Sequence, residues 1–177
     1  MKTEYEVRVL EINKEEMIKK LESLHAERVG EFNQKRYVYD TIPKEDGKWI
    51  RLRTNGKETT LTYKDITSNK IDGTKEVEIV VSDIEATNEL LNRIGFFSKA
   101  YQENDRIRYM LDGVEIDIDS WPLIPTYLEI EGKDEESVLK MIEKLELDKE
   151  KVTTLDVQSV YKEVYNIDIE TIKVLKF

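Results

Sequence analysis

Charged residues of one sign recur in pairs separated by a single residue. The acidic pairs are Glu4/Glu6, Glu76/Glu78, Asp117/Asp119 and Glu129/Glu131, and the basic pairs are Arg51/Arg53 and Arg106/Arg108. Alternate side chains of a β-strand point to the same face, so both members of a pair could reach one ligand. Carboxylates suit hard divalent cations, and arginine forks match phosphate oxygens. The spacing therefore predicts a site for a polyphosphate together with metal.

Each charged residue has a predicted role in that site. The candidate metal ligands for Mg²⁺ or Mn²⁺ are Glu4, Glu6, Glu129 and Glu131, with Asp117, Asp119, Glu76 and Glu78 as further ligands or orienters. The candidate phosphate-binding residues are Arg8, Arg36, Arg51, Arg53, Lys64, Arg106 and Arg108. We assign the catalytic roles to Glu4, Glu6, Arg8 and Lys64. Phosphoryl transfer depends on positioning and charge stabilisation, and a metal-activated water is the natural nucleophile.

The elements that must position these side chains show a period of two. Alternating segments predict eight strands, over Glu4–Leu10, Gln34–Thr41, Trp49–Thr54, Glu58–Lys64, Lys75–Val81, Asp105–Leu111, Val114–Ser120 and Tyr127–Glu131. Asp112-Gly113 between two such runs is a strong hairpin signal. Helical periodicity predicts amphipathic helices over Asn13–His25, Asp83–Ile94 and Glu135–Leu145, and a further helix over Asp156–Tyr165.

The alternation itself leaves open which face of the sheet is buried. For any single strand, charged residues would ordinarily face water and apolar residues the core. The joint pattern favours the reverse, because one sign dominates each strand while the opposite face is apolar almost throughout. We therefore predict an α+β fold: a closed eight-stranded antiparallel barrel with a charged interior and with helices packed on the outside.

Composition excludes several classes of function. The chain has 177 residues, a formal net charge of -10, no cysteine and one histidine. The acidic charge opposes DNA binding, and the single His25 argues against zinc and Ser/His/Asp chemistry. No phosphate loop, signal peptide or membrane-spanning segment is recognisable. We expect one domain over residues 1–177 and a cytoplasmic location, and we interpret Trp49 and Trp121 as packing residues.

The ordered set of charged pairs resembles the CYTH superfamily of triphosphate tunnel metalloenzymes. Lys64 at a strand end, the segment WPLIPTYLEIEG and Ser159-Val160-Tyr161 add to the resemblance, after which this chain carries a tail from Asn166 to Phe177. The resemblance implies an eight-stranded tunnel in which the glutamates bind metal and the basic residues grip a triphosphate. The chain departs from the usual ExExK signature, since Arg8 replaces the lysine, and arginine cannot act as a base.

Three functions follow from that resemblance. The first is metal-dependent hydrolysis of a small inorganic or organic triphosphate, and the second is conversion of ATP to cyclic AMP and pyrophosphate. The third is a non-catalytic module that binds polyphosphate or nucleotide. The expected partner is the small-molecule triphosphate, and neither the oligomeric state, with a homodimer as one option, nor the preferred metal is fixed by the sequence.

Overall fold

Eight antiparallel strands close into a ring in the computed structural model, which describes residues 1–177. The strands are β1 (Lys2–Val9), β2 (Glu27–Asp40), β3 (Lys48–Thr54), β4 (Thr59–Ile66), β5 (Thr74–Val81), β6 (Ala100–Leu111), β7 (Val114–Ser120) and β8 (Tyr127–Gly132). Their order around the ring is β6-β2-β3-β4-β5-β1-β8-β7, and β7 pairs with β6 to complete it. The predicted closed barrel is confirmed.

Two strands begin earlier than the alternation predicted. β2 starts at Glu27 rather than at Gln34, and β6 starts at Ala100 rather than at Asp105. Both faces of these extensions are largely polar, so they lack the apolar alternation that marks a half-buried strand. Each extension instead gains its backbone hydrogen bonds from the other strand, because β2 pairs with β6 along most of its length.

Helices α1 (Lys14–Ser23), α2 (Ile84–Arg93) and α3 (Glu135–Lys144) pack on the outer wall, as predicted. Side chains of α1 and α3 form one core with the outward-facing side chains of β1, β6, β7 and β8, among which Ile116, Ile118 and Leu128 are fully buried. Leu91 of α2 covers Tyr39 and Leu52. Burial of this apolar face stabilises the charged-inside arrangement. The outer face of β5 stays largely uncovered.

The C-terminal segment, residues 149–177, covers one end of the barrel. A helical segment occupies residues 157–164, where a further helix was predicted over Asp156–Tyr165. Val157–Ser159 form one α-helical turn and Val160–Val164 a π-helical turn. Two short strands lie outside the ring, β9 (Val152–Thr153) on β1 and β10 (Val174–Leu175) parallel to β6. Short 3₁₀ turns precede each of them, at Lys149–Lys151 and Ile169–Thr171.

An apolar cluster holds this segment against the barrel end. Val160, Tyr161, Ile169 and Leu175 pack together with Trp121, and the Tyr161 hydroxyl donates a hydrogen bond to the Pro122 carbonyl at 2.5 Å. Burial of apolar side chains gives the tail a fixed position that its sequence did not reveal. No helix anywhere in the chain has the length and apolar character needed to cross a bilayer.

Candidate active site

The inside of the barrel contains a cavity of about 240 Å³ lined almost entirely by charged side chains. All of the predicted site residues line it except Asp117 and Asp119. They reach it because each pair has the inward parity on its strand, which directs the intervening apolar residues outward. Five lining residues were not predicted: Lys2, Glu115, Trp121, Tyr127 and Val157.

Arg36, Arg51 and Arg53 form a basic region in which Glu78, beside Arg51, is the one acidic partner. Arg36 donates hydrogen bonds to the uncharged Gln34 and Asn104, and its guanidinium lies 4.5 Å from the centre of the Trp121 ring. Burial and the neighbouring Arg51 and Arg106 lower the pKa of Arg36 to about 9.

Arg53 forms no ion pair, and burial together with the charges of Arg51 and Arg36 lowers its pKa well below the ordinary value. Both shifts mean that holding positive charge here is unfavourable without an anion.

Asp117 and Asp119 lie behind two other arginines. Arg106 contacts Asp119 through Nε at 2.7 Å and Asp117 through Nη1 at 2.5 Å, and Arg108 forms a two-pronged bond to Asp117 at 2.9 and 2.7 Å. Both aspartates are almost completely buried. They hold the two guanidinium groups toward the cavity, so an indirect role fits their position better than direct metal binding.

Carboxylates dominate the opposite part of the wall. Lys64 pairs with Glu4 at 2.6 Å and with Glu76 at 3.4 Å, so a single ammonium lies between two acids. Glu6 on β1 stands directly opposite Glu131 on β8. Burial raises the pKa of Glu4 despite Lys64, and burial also raises the pKa of Glu131. This part of the wall therefore carries more negative charge than its own cations balance.

Arg8 joins the acidic wall to the C-terminal segment. Its Nη2 donates to Glu129 at 2.6 Å and contacts Glu6 at 3.4 Å, while Nη1 donates to the Leu155 carbonyl at 2.8 Å. Although burial opposes ionisation of Glu129, Arg8 and Arg106 hold its pKa far below the usual range. A guanidinium fixed by these partners remains charged and cannot accept a proton.

Glu78, which was also predicted to bind metal, has different neighbours from the glutamates of the acidic wall. Glu78 accepts a hydrogen bond from the Thr62 hydroxyl at 2.6 Å and lies 3.4 Å from Arg51. Despite the opposing effect of burial, Thr62 and Arg51 lower its pKa. Glu78 thus orients Arg51 on the basic side and lies apart from the Lys64-centred acids.

The donor set fits a hard divalent cation of the magnesium type. Carboxylate oxygens are the ligands that such ions prefer, and surplus negative charge around Glu4, Glu6 and Glu131 would be relieved by one. No three acidic side chains are gathered into a ready-made metal cluster. A cation of the magnesium type takes a few carboxylates and completes its shell with water and phosphate oxygens.

Sequence reasoning missed residues that a wider search could have found. Lys2 and Glu115 extend two of the charged pairs by one more step of the period, and Tyr127 does the same ahead of Glu129. Trp121 does pack, edge-on to Tyr161, but it also lines the cavity. Its second role depends on a contact with Arg36 from a distant strand, for which the sequence carries no signal.

Comparison with known proteins places this geometry in a family. No curated protein matches the sequence. Among solved structures, the PH1012 protein of Pyrococcus horikoshii is similar at 26% identity and a TM-score of 0.75, covering 86% of this chain and 96% of its own. A candidate adenylate cyclase of Vibrio parahaemolyticus shares the fold at 16% identity and a TM-score of 0.75, covering 93% and 98%.

A third structure with this fold is HpAC1 from Hippeastrum, at 15% identity and a TM-score of 0.58, with coverage of 93% and 96%. The family model of the CYTH domain matches residues 2–160, which is most of the chain. The eight-stranded ring, its charged interior and this match agree, and the protein therefore belongs to the CYTH domain family, within the superfamily of triphosphate tunnel metalloenzymes.

Proposed function

We propose that the protein is a divalent-metal-dependent enzyme that hydrolyses a small triphosphate inside the barrel. The observation that carries the proposal is the separation of uncompensated charge across one cavity. Arg36 and Arg53 face it without a carboxylate partner. On the opposite wall, Lys2, Arg8, Lys64 and one nitrogen of Arg106 serve five glutamates, Glu4, Glu6, Glu76, Glu129 and Glu131. A triphosphate bound with a divalent cation would compensate both sides at once.

The arginines would hold the phosphate chain. Arg106 and Arg108 are fixed in orientation by Asp117 and Asp119, while Arg53 is free to turn both of its terminal nitrogens to phosphate oxygens. Charge that develops on the phosphoryl oxygens during transfer would meet guanidinium groups that are already in position, so little reorganisation is needed.

The acidic part of the cavity wall would help to activate the nucleophile, a water molecule. A bound divalent cation would lower the pKa of a water molecule and neutralise phosphate charge. Glu4 has a raised pKa and pairs with Lys64, which places a carboxylate suited to accept a proton beside an ammonium. Arg8 can only stabilise charge and hold Glu129, so the proton acceptor in this scheme is Glu4.

The descriptions of two structures with this fold support triphosphate chemistry. The HpAC1 structure is described as that of a candidate adenylyl cyclase with a dominant triphosphatase activity, and the Vibrio protein as a candidate adenylate cyclase. Both descriptions involve a triphosphate substrate. We place hydrolysis first because the triphosphatase activity is described as the dominant one in HpAC1.

The test measures products from purified protein with Mg²⁺ or Mn²⁺ and either tripolyphosphate or ATP. We expect release of inorganic phosphate that requires the metal and is lost in Glu4→Gln. Exposed Glu89 provides a matched control, and Glu89→Gln should keep full activity. Release of pyrophosphate with cyclic AMP would show that the enzyme cyclises ATP and does not hydrolyse it. Tight binding without any product would identify a non-catalytic module.

A further inference from the structure

One edge of strand β5 has a partner strand over only part of its length. On one side, β4 pairs with β5 along the whole of Thr74–Val81, whereas β1 on the other side pairs only with Thr74–Glu76. Along Val77–Val81, no strand of residues 1–177 pairs with that second edge, which we call the free edge. Unpaired backbone groups on a strand edge are able to bond to a further strand.

The side chains of the free edge are apolar and exposed. Glu78 is the one charged residue in Val77–Val81. Val77 is 48% exposed, Ile79 54% and Val80 67%. Proteins usually protect a strand edge with lysine, proline or a bulge, and the free edge has none of these, since its register with β4 is continuous. Its chemistry therefore favours pairing with another strand.

The charges that flank the free edge indicate that its partner is a second copy of this chain. Lys75 precedes the free edge and Asp83 follows it, and both residues are exposed. When two copies of β5 lie antiparallel about a two-fold axis at Ile79, Lys75 of each copy comes beside Asp83 of the other. One Asp83 oxygen accepts a hydrogen bond from the NH of Ala86, which leaves the second oxygen for the ammonium. The edge is thus complementary to itself in charge.

Glu78 selects the register of this pairing. A two-fold axis that keeps the outer faces of both sheets on one side passes through a single residue of the strand. An axis at Ile79 places Glu78 opposite Val80, whereas an axis at Glu78 would set two carboxylates against each other. An axis at Val80 would place the charged Asp83 opposite Val77. Only the axis at Ile79 pairs apolar residues without opposing like charges.

The pairing is closed and small. Each copy contributes the free edge of β5 once, so the two-fold contact gives a dimer and does not propagate into a fibre. Five paired residues bury less surface than the roughly 1,600 Å² of a standard stable interface, so the dimer should dissociate on dilution. The inward direction of Glu78 is unchanged by the pairing, and each charged cavity remains complete within its own copy.

We propose that two copies of this protein associate through the free edges of β5, with Ile79 on the two-fold axis, and form one continuous sheet across both barrels. Sedimentation equilibrium over micromolar to millimolar concentration should show a reversible monomer–dimer equilibrium. Ile79→Lys sets two ammonium groups opposite each other and should leave only monomer. Because Ile79 is half exposed and faces away from the cavity, this variant should keep the melting temperature and the activity of the natural protein.

The control is Leu139 on α3, which is 49% exposed and lies outside the proposed contact. Leu139→Lys should dimerise as the natural protein does. A chain that stays monomeric up to millimolar concentration overturns the proposal. A dimer that persists in Ile79→Lys also overturns it, because the contact would then lie elsewhere.

Cross-linking tests the register directly, since the natural chain contains no cysteine. Directly opposite residues of antiparallel strands have Cα atoms about 4.5–5.5 Å apart, which is within the range of a disulfide. Ile79→Cys should therefore form a disulfide-linked dimer on mild oxidation. Val77→Cys should not, because the two copies of residue 77 lie four residues out of register. Equal cross-linking of Ile79→Cys, Val77→Cys and Leu139→Cys would show random collision and refute the pairing.

Discussion

Arg8 and Glu129 form a 2.6 Å ion pair between neighbouring strands β1 and β8, and the same guanidinium holds the Leu155 carbonyl of the C-terminal segment. Arginine at position 8, in place of the lysine of the ExExK signature, thus has a structural consequence. An ammonium is a compact point charge, whereas the planar guanidinium presents separate donors to the barrel wall and to the segment that covers its end.

Removal of that guanidinium should destabilise the protein. In Arg8→Ala the buried Glu129 would lose its principal partner, and breaking a buried pair from one side costs about 3–5 kcal/mol. Arg8→Lys should cost less, because an ammonium can keep the Glu129 contact while it gives up Leu155. Urea denaturation measures both free energies of unfolding. Equal losses in the two variants would show that the pair with Glu129 is not what stabilises the fold.

Arg53 should matter for activity and not for folding. Because Arg53 has like-charged neighbours and no carboxylate partner, Arg53→Ala should lower kcat/KM by about 100-fold, as expected for a lost charge-stabilising donor, while leaving the melting temperature unchanged or higher. Steady-state kinetics and thermal melting are the measurements. Exposed Arg93 offers a matched control, and Arg93→Ala should retain activity. Full activity of Arg53→Ala would refute its assignment to the substrate.

Tyr127 should act as an uncharged donor to the substrate. Its side chain lines the cavity and its buried hydroxyl is unpartnered. Burial together with Asp119 and Glu129 raises the pKa of Tyr127 well above the ordinary value, so the proton stays on the oxygen. Tyr127→Phe should lower kcat/KM by roughly tenfold, since a hydrogen bond to a charged group is worth about 1.5–3 kcal/mol. Kinetics on the triphosphate measures the effect.

Tyr109 supplies the control for that substitution. Its hydroxyl is equally buried and unpartnered, but it lies in the outer core against the helices. Tyr109→Phe should therefore leave kcat/KM as in the natural protein. If both phenylalanine variants lose activity equally, the effect of Tyr127→Phe comes from packing and the hydroxyl does not contact substrate.

Glu115 should make stability depend on pH. Burial, followed by the charge of Asp117, raises the pKa of Glu115 to about 8, although Arg108 contacts it at 2.6 Å. The folded state then binds this proton more tightly than the unfolded chain, whose value is near 4.5. Stability is lost as the pH rises from about 4.5 to about 8. In metal-free buffer, the melting temperature of Glu115→Gln minus that of the natural protein should grow over this interval.

A constant difference between the two proteins across that interval would contradict the assignment. Glu89→Gln is the reference for a carboxyl group at the surface, where neutralisation removes no buried charge, and its difference from the natural protein should change little with pH.

The amino-acid sequence was sufficient to show which side chains share a face, and the joint pattern of charges predicted that this face lines the interior of the barrel. Alternation is a property of each strand alone, and therefore Glu4, Glu6, Arg53 and Glu129 could be placed on one face before any strand pairing was known. Two other local signals also held: the Asp112-Gly113 dipeptide predicted a hairpin turn, and helical periodicity predicted the three outer helices. Where both faces are polar, as at the start of β2 and β6, alternation fails and the strand ends were misplaced.

Which charges are balanced depends on the three-dimensional arrangement of the strands. Asp117 and Asp119 resemble the other acidic pairs in sequence, yet both form ion pairs with Arg106 or Arg108. Arg53, by contrast, has no acidic partner. The pocket lined by Trp49, Gln102 and Gln158 likewise needs β3, β6 and the C-terminal segment to meet at one end of the ring. Ion pairing and cavity walls depend on which strands become neighbours, and that is set by packing across the whole barrel.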